Sequence, residues 1–172
     1  MSRPHMSFTS FRSDQRGTAL VELALIFPFL ALLTFSALEM GSVMYQQHII
    51  TKGVQEAARY AARSPSLSET ATCVPGSANW PVAVTQAKNL ATRGTVGSSG
   101  SLIISNFTAA TLTISVSCSS ATGFVSPNPA SGQIPVVVVS ATVAAKSMGF
   151  LSLIGLPPFI LKAAHQELGI GL

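Results

Sequence analysis

Six carboxylates, three histidines and two cysteines carry most of the acid–base, ligating and redox chemistry available to this 172-residue chain. Their spacing excludes most reactions. His5 and the only aspartate, Asp14, precede a long apolar run, whereas His48 and His165 follow it. A Ser-His-Asp relay behind the run would lack its aspartate and would need Glu69 or Glu167 in that place. No His, Cys or carboxylate pair has the short spacing of a zinc site, so no metal is expected. The glycine-rich stretch from Gly94 to Gly100 lacks the Lys-Ser/Thr ending of a phosphate loop and follows no strand. The expectation is a protein that is not an enzyme and holds no cofactor.

One carboxylate stands where carboxylates are rare. Residues 18–38 read TALVELALIFPFLALLTFSAL, and Glu22 is the sole charge among them. A carboxylate at the centre of a membrane span costs about 2.5–3.5 kcal/mol on insertion scales, and such residues are usually paired or functional. Glu22 is also only six residues beyond Arg16, close enough to an inner interface to reach water. Position alone leaves both readings open.

The element that positions Glu22 is a helix apolar on every side, which excludes a surface helix with one wet face. About 20 residues at 1.5 Å each cross a ~30 Å hydrocarbon layer. Arg12 and Arg16 precede the run, and no base follows it until Lys52, so the N-terminus is expected in the cytoplasm and the bulk of the chain outside. A cleaved secretory signal would be shorter and would end at a small-residue site. Pro28 removes a backbone donor mid-span and is a candidate kink. Beyond the span, Ile49, Ile50, Val54, Ala57, Ala58 and Ala61 keep a three–four spacing, and Ser64-Pro65 stops the helix. Gly41 and Gly53 are its expected flexible points, and Lys52 and Glu56 an expected i,i+4 pair.

The stretch from Arg16 through Gly17, Thr18 and Val21 to Glu22 resembles the processing site of type IV pilins. That resemblance implies a prepilin peptidase cutting between Gly17 and Thr18 on the cytoplasmic side. It also implies that Glu22, the fifth residue after Gly17, pairs with the freed terminal amine of a neighbouring subunit. In low dielectric an ammonium and a carboxylate are each costly alone and tolerable together. Further along stand Pro28, Glu39-Met40-Gly41 and the Ala57–Arg63 ending, and the ordered set resembles the TadE-like family of minor pilins, or pseudopilins, of the tight-adherence system. The resemblance covers roughly residues 12 to 63. Processed pilins of this system usually carry Phe or Tyr after the key Glu, where this chain has Leu23. The major fibre subunits are much shorter, which implies a minor or accessory role here. The implied partners are other pilin-like subunits, the pilus assembly machinery, the peptidase and the membrane. The implied place is the inner membrane, single pass, or the pilus itself.

The remaining residues read as a small exported domain. Trp80 aside, residues 81–92 place Ala83, Ala87, Leu90 and Ala91 on one side of a short helix stopped by Gly94. Residues 111–118 alternate apolar and hydroxyl side chains, the mark of a half-buried strand, with Leu102–Phe107 as an expected partner strand. Residues 134–145 are the strongest strand signal, and 159–164 an expected closing strand. Residues 146–158 are too short and broken for a second span, and read as a buried helix or a loop packed against the membrane face. Cys73 and Cys118 both follow the span; in an exported domain a disulfide is the natural reading and two unpaired core thiols the alternative. Cys118 shares a face with Leu112, Ile114 and Val116, which suits an inward-facing bridge.

Charged residues are only 9% of the chain and mean hydropathy is +0.48, so part of the apolar excess belongs in lipid. The net charge of +4 is no nucleic-acid signature, because Arg3, Arg12 and Arg16 lie before the span and Lys52, Arg59 and Arg63 are interleaved with Glu56. The expected architecture is α+β and pilin-like: a long N-terminal transmembrane helix running into a small antiparallel sheet. Its parts are a cytoplasmic leader (1–17), the helix with its outer extension (18–63) and the exported domain (64–172). The expected function is a minor pilin-like subunit or accessory protein for a tight-adherence pilus or secretion apparatus. The alternative is an uncleaved, membrane-anchored extracytoplasmic binding protein.

Overall fold

The computed structural model describes residues 16–67, 75, 79–120, 133–146, 149, 155 and 157–169. Helix α1 (Arg16–Ala62) is one unbroken element of 47 residues, about 70 Å long. Its first half carries the uniformly apolar run. Its second half is amphipathic, burying Val43, Gln46, Ile50, Val54, Ala57 and Ala61 along one stripe and exposing His48, Lys52, Glu56, Arg59 and Arg63. Lys52 and Glu56 form no ion pair, in keeping with the small worth of such contacts between exposed side chains.

A short 3-10 turn (Pro65–Leu67) ends the rod, as the Ser64-Pro65 step predicts. Helix α2 (Trp80–Arg93) then packs back on it through Ala83, Ala87 and Ala91. Proline at its first turn fits a position with no intrahelical N–H bond to lose. Gly94 closes α2 in the left-handed conformation (φ 72°), donating its N–H to the Leu90 carbonyl at 2.9 Å.

Three strands complete the fold: β1 (Leu112–Ser120), β2 (Gln133–Ala144) and β3 (Ile160–Leu168), antiparallel in the order β1-β2-β3. Val137, Val139, Ala141 and Val143 of β2 share an inner face with Leu112 and Leu161 and pack against the apolar stripe of α1. The other face, including Thr113, Ser115 and Ser117 of β1, is exposed. Pro135 sits inside the central strand without breaking it. Its carbonyl accepts from the Gly169 N–H at 2.7 Å, so its nitrogen faces the side where β3 has ended.

Two expectations about the strands are corrected. Leu102–Phe107 is not a strand; it is a run of bends whose Ile104 and Phe107 turn into the core. Its apolar residues answer a gap against α1, and the Phe107 N–H bonds to the Ile104 carbonyl (3.0 Å). The closing strand is also longer than residues 159–164, because the polar His165-Gln166-Glu167 stretch keeps its pairing with Val139, Val138 and Val137. The expected leader residues 1–15, Cys73, and most of the expected loops 119–133 and 146–158 lie outside the described residues.

Candidate functional site

Because α1 begins at Arg16, the Gly17–Thr18 bond lies in its first turn and Glu22 less than two turns further on. Gly17 is open on all sides, with no atom within 4 Å of where a Cβ would stand. Glu22 is exposed, as is every residue from Gly17 to Leu30. The most apolar 18-residue window of the helix has none of its area buried within the chain. Leu20, Leu25, Phe27, Phe29, Leu33 and Phe35 all point outward with more than half their surface open. That arrangement is unstable in water, and lipid or other apolar helices must cover it. α1 is thus long and apolar enough to anchor the chain in a membrane.

Polar groups within the run are handled locally. The Thr34 hydroxyl donates to the Leu30 carbonyl and the Ser36 hydroxyl to the Leu32 carbonyl, each at 2.8 Å. Hydrocarbon therefore meets few unsatisfied donors. The helix continues through Pro28, so the backbone gap opposite Ala24 does not end it. Glu39 marks the change of environment. It directly follows the apolar run and is only 1% exposed.

The second half of α1 is bound to the sheet by side chains that sequence reading missed. The Gln46 amide forms a two-way clamp on Lys146, donating to its carbonyl (3.0 Å) and accepting from its N–H (2.9 Å). Gln47 donates to the Lys162 carbonyl at 2.9 Å. The available signal was Gln46 falling on the stripe between Val43 and Ile50, where an apolar residue is due. Removing it as Gln46→Ala is expected to lower stability by about 1–3 kcal/mol, because both Lys146 backbone groups lose their partner. Thermal unfolding followed by circular dichroism measures this.

Gly53 is not a flexible point. A Cβ there would lie 2.7 Å from the Ala91 carbonyl oxygen and 3.0 Å from a Phe107 ring carbon, so the bare backbone is what lets α2 and Phe107 approach. At the far end, the Tyr60 hydroxyl donates to the Gln86 side-chain oxygen at 2.8 Å, inside an open groove of about 680 Å³ that Arg59 and Arg63 also line.

The sequence raised a His-carboxylate relay as a possibility. His165 and Glu167 do meet on β3, Nε2 to Oε2 3.0 Å, yet among the described residues no hydroxyl or thiol hydrogen-bonds the other ring nitrogen. Among the described residues no group of three or more His, Cys, Asp or Glu is placed to hold a metal ion. Cys118 is disulfide-bonded, and its expected partner Cys73 lies outside the described residues. Cys118 keeps the face of Leu112, Ile114 and Val116 yet is exposed, and burial along that face falls off from Leu112 toward the end of β1.

Comparison with curated proteins and with solved structures found no match. Residues 17–59 match the family model described as TadE-like protein, a stretch that covers the rod and stops before the sheet domain. That match lies over the same helix that carries the ordered Gly17, Glu22, Pro28 and Glu39-Met40-Gly41 motifs, so this segment of the chain is similar to the TadE-like family.

Proposed function

We propose that the chain is a minor pilin or pseudopilin-like subunit of a tight-adherence pilus or secretion apparatus. It sits in the inner membrane with its N-terminus in the cytoplasm and its sheet domain outside. Prepilin peptidase cuts between Gly17 and Thr18, and Glu22 then pairs with the terminal ammonium of a neighbouring subunit. Cys73 is the proposed partner of Cys118.

The observation that carries this reading is a division of labour along one helix. The outer half of α1 has its apolar stripe covered by its own sheet and by α2, leaving a charged face toward solvent. The inner half offers apolar surface all round and one carboxylate near its start. Contacts with other helices therefore belong to residues 17–38. Placement of the scissile bond in the first helical turn is compatible with cutting, since terminal turns fray readily.

Intact-mass measurement of the protein extracted from membranes tests the proposal. The expected species has lost residues 1–17 and begins at Thr18. A species that still begins at Met1 would leave the second reading, an uncleaved membrane-anchored extracytoplasmic binding protein. Leu23, standing where processed pilins of this system usually carry Phe or Tyr, is the residue that favours that alternative.

A further inference from the structure

The strands run along the rod. One end of β2 meets Gln46 through Lys146, while at the other end Pro135 and Gly169 lie against Leu67, just past the end of α1. The sheet domain therefore has a rim near Ser42–Gln46 and an opposite end near Leu67. Among the described residues, three exposed large apolar side chains belong to the first rim: Ile103 (50% exposed), Phe159 (38%) and Ile160 (65%). Phe159 accepts a backbone bond from Ala145, next to Lys146, and Ile103 shares a groove with Ser42, Tyr45 and Lys146. Lys146 and Lys162 are exposed at this rim, whereas Glu39, the carboxylate nearest it, is buried.

The helix fixes the height of that rim. A span beginning at Thr18 leaves a ~30 Å hydrocarbon layer near Leu38, and the headgroup layer adds about 5–7 Å, or four to five helical residues. Ser42 and Tyr45 thus stand at the outer edge of the headgroups, and Tyr45 is 68% exposed at the depth where tyrosine is favoured. We infer that the rim carrying Ile103, Phe159 and Ile160, flanked by Lys146 and Lys162, rests in the headgroup layer of the membrane that α1 crosses. Apolar side chains enter the interface and the ammonium groups meet lipid phosphates. The inference rests on α1 being a membrane anchor and is independent of cleavage and of assembly.

The test uses the full chain reconstituted in phosphatidylcholine vesicles, with and without bromine on the acyl chains. Trp80, the only tryptophan, lies at the far end of the domain and serves as the distant reference in the unaltered protein. In a Trp80→Phe background, Ile103→Trp and Phe159→Trp report on the rim and Leu30→Trp on the span. Brominated lipid should quench both rim probes roughly twofold, and Leu30→Trp more strongly, while Trp80 stays unquenched. Quenching at Leu30→Trp with none at the rim would overturn the inference and leave another protein as the cover for these side chains. No quenching at Leu30→Trp would remove the anchor, and the rim contact with it.

Discussion

Replacing Glu22 with alanine is expected to leave the protein in the membrane while reducing its recovery in sheared or co-purified assemblies by about a hundredfold or more. The two halves of that result have different causes. Insertion becomes easier, since a span carrying a carboxylate is about 2.5–3.5 kcal/mol worse at its centre than one without it. Assembly becomes harder, because the proposed contact puts an ammonium where water cannot reach it, and an uncompensated buried charge typically costs about 3–5 kcal/mol. Glu22→Gln keeps the shape and one acceptor but not the charge, and should fail nearly as badly. Recovery of either variant in assemblies at the normal level would remove the amine-pairing proposal. Glu22 stands exposed in the single chain, so its partner has to come from outside it.

The second large effect is a contrast between two glycines in one helix. Gly53→Ala is expected to destabilise the domain by up to about 2 kcal/mol, and Gly41→Ala to stabilise it by up to about 1 kcal/mol. Alanine is the better helix former at both sites by about 0.8–1.0 kcal/mol. At Gly41 nothing lies within 4 Å of the new Cβ, so that gain stands alone. At Gly53 the nearest atom is a backbone oxygen of α2 at 2.7 Å, and backbone cannot rotate aside as a side-chain tip can. Overpacking of about 1–3 kcal/mol then outweighs the propensity gain. Thermal melts of both variants in the same detergent decide the matter, and equal shifts in one direction would refute the close-packing account of Gly53.

These two glycines also show what a sequence conveys. Each interrupts a helical pattern in the same way, and nothing local separates a notch from a neutral position. Only the arrival of Ala91 and Phe107, each at least 38 residues later in the chain, makes Gly53 necessary. Local signals served well where the cause was local. The apolar run and the Ser64-Pro65 stop placed α1 to within two residues at either end, and Gly94 closed α2 where its φ of 72° requires a residue without a Cβ. Alternation placed β1, and the β-branched run of residues 134–145 placed β2, whose Val137, Val139, Ala141 and Val143 face the helix. Leu102–Phe107 misled because three apolar residues in a row look alike whether they pair as a strand or fill a hole. No local pattern points from Gln46 and Gln47 to their partners, because Lys146 and Lys162 lie 100 and 115 residues away. The residues proposed to act between molecules, Glu22 above all, were visible from the start because their oddity is local: a charge among hydrocarbons.

The alignment of strands with rod has a mechanical consequence. A tug on the far end of β3, resisted by the anchored helix, acts along the strand axis and strains the β2–β3 ladder in shear. Its hydrogen bonds lie across that axis and must yield together rather than peel one after another. The Gln46 and Gln47 clamps tie the near ends of β2 and β3 to the same shaft, so traction on the domain passes into the bilayer-embedded half without first prying the sheet away.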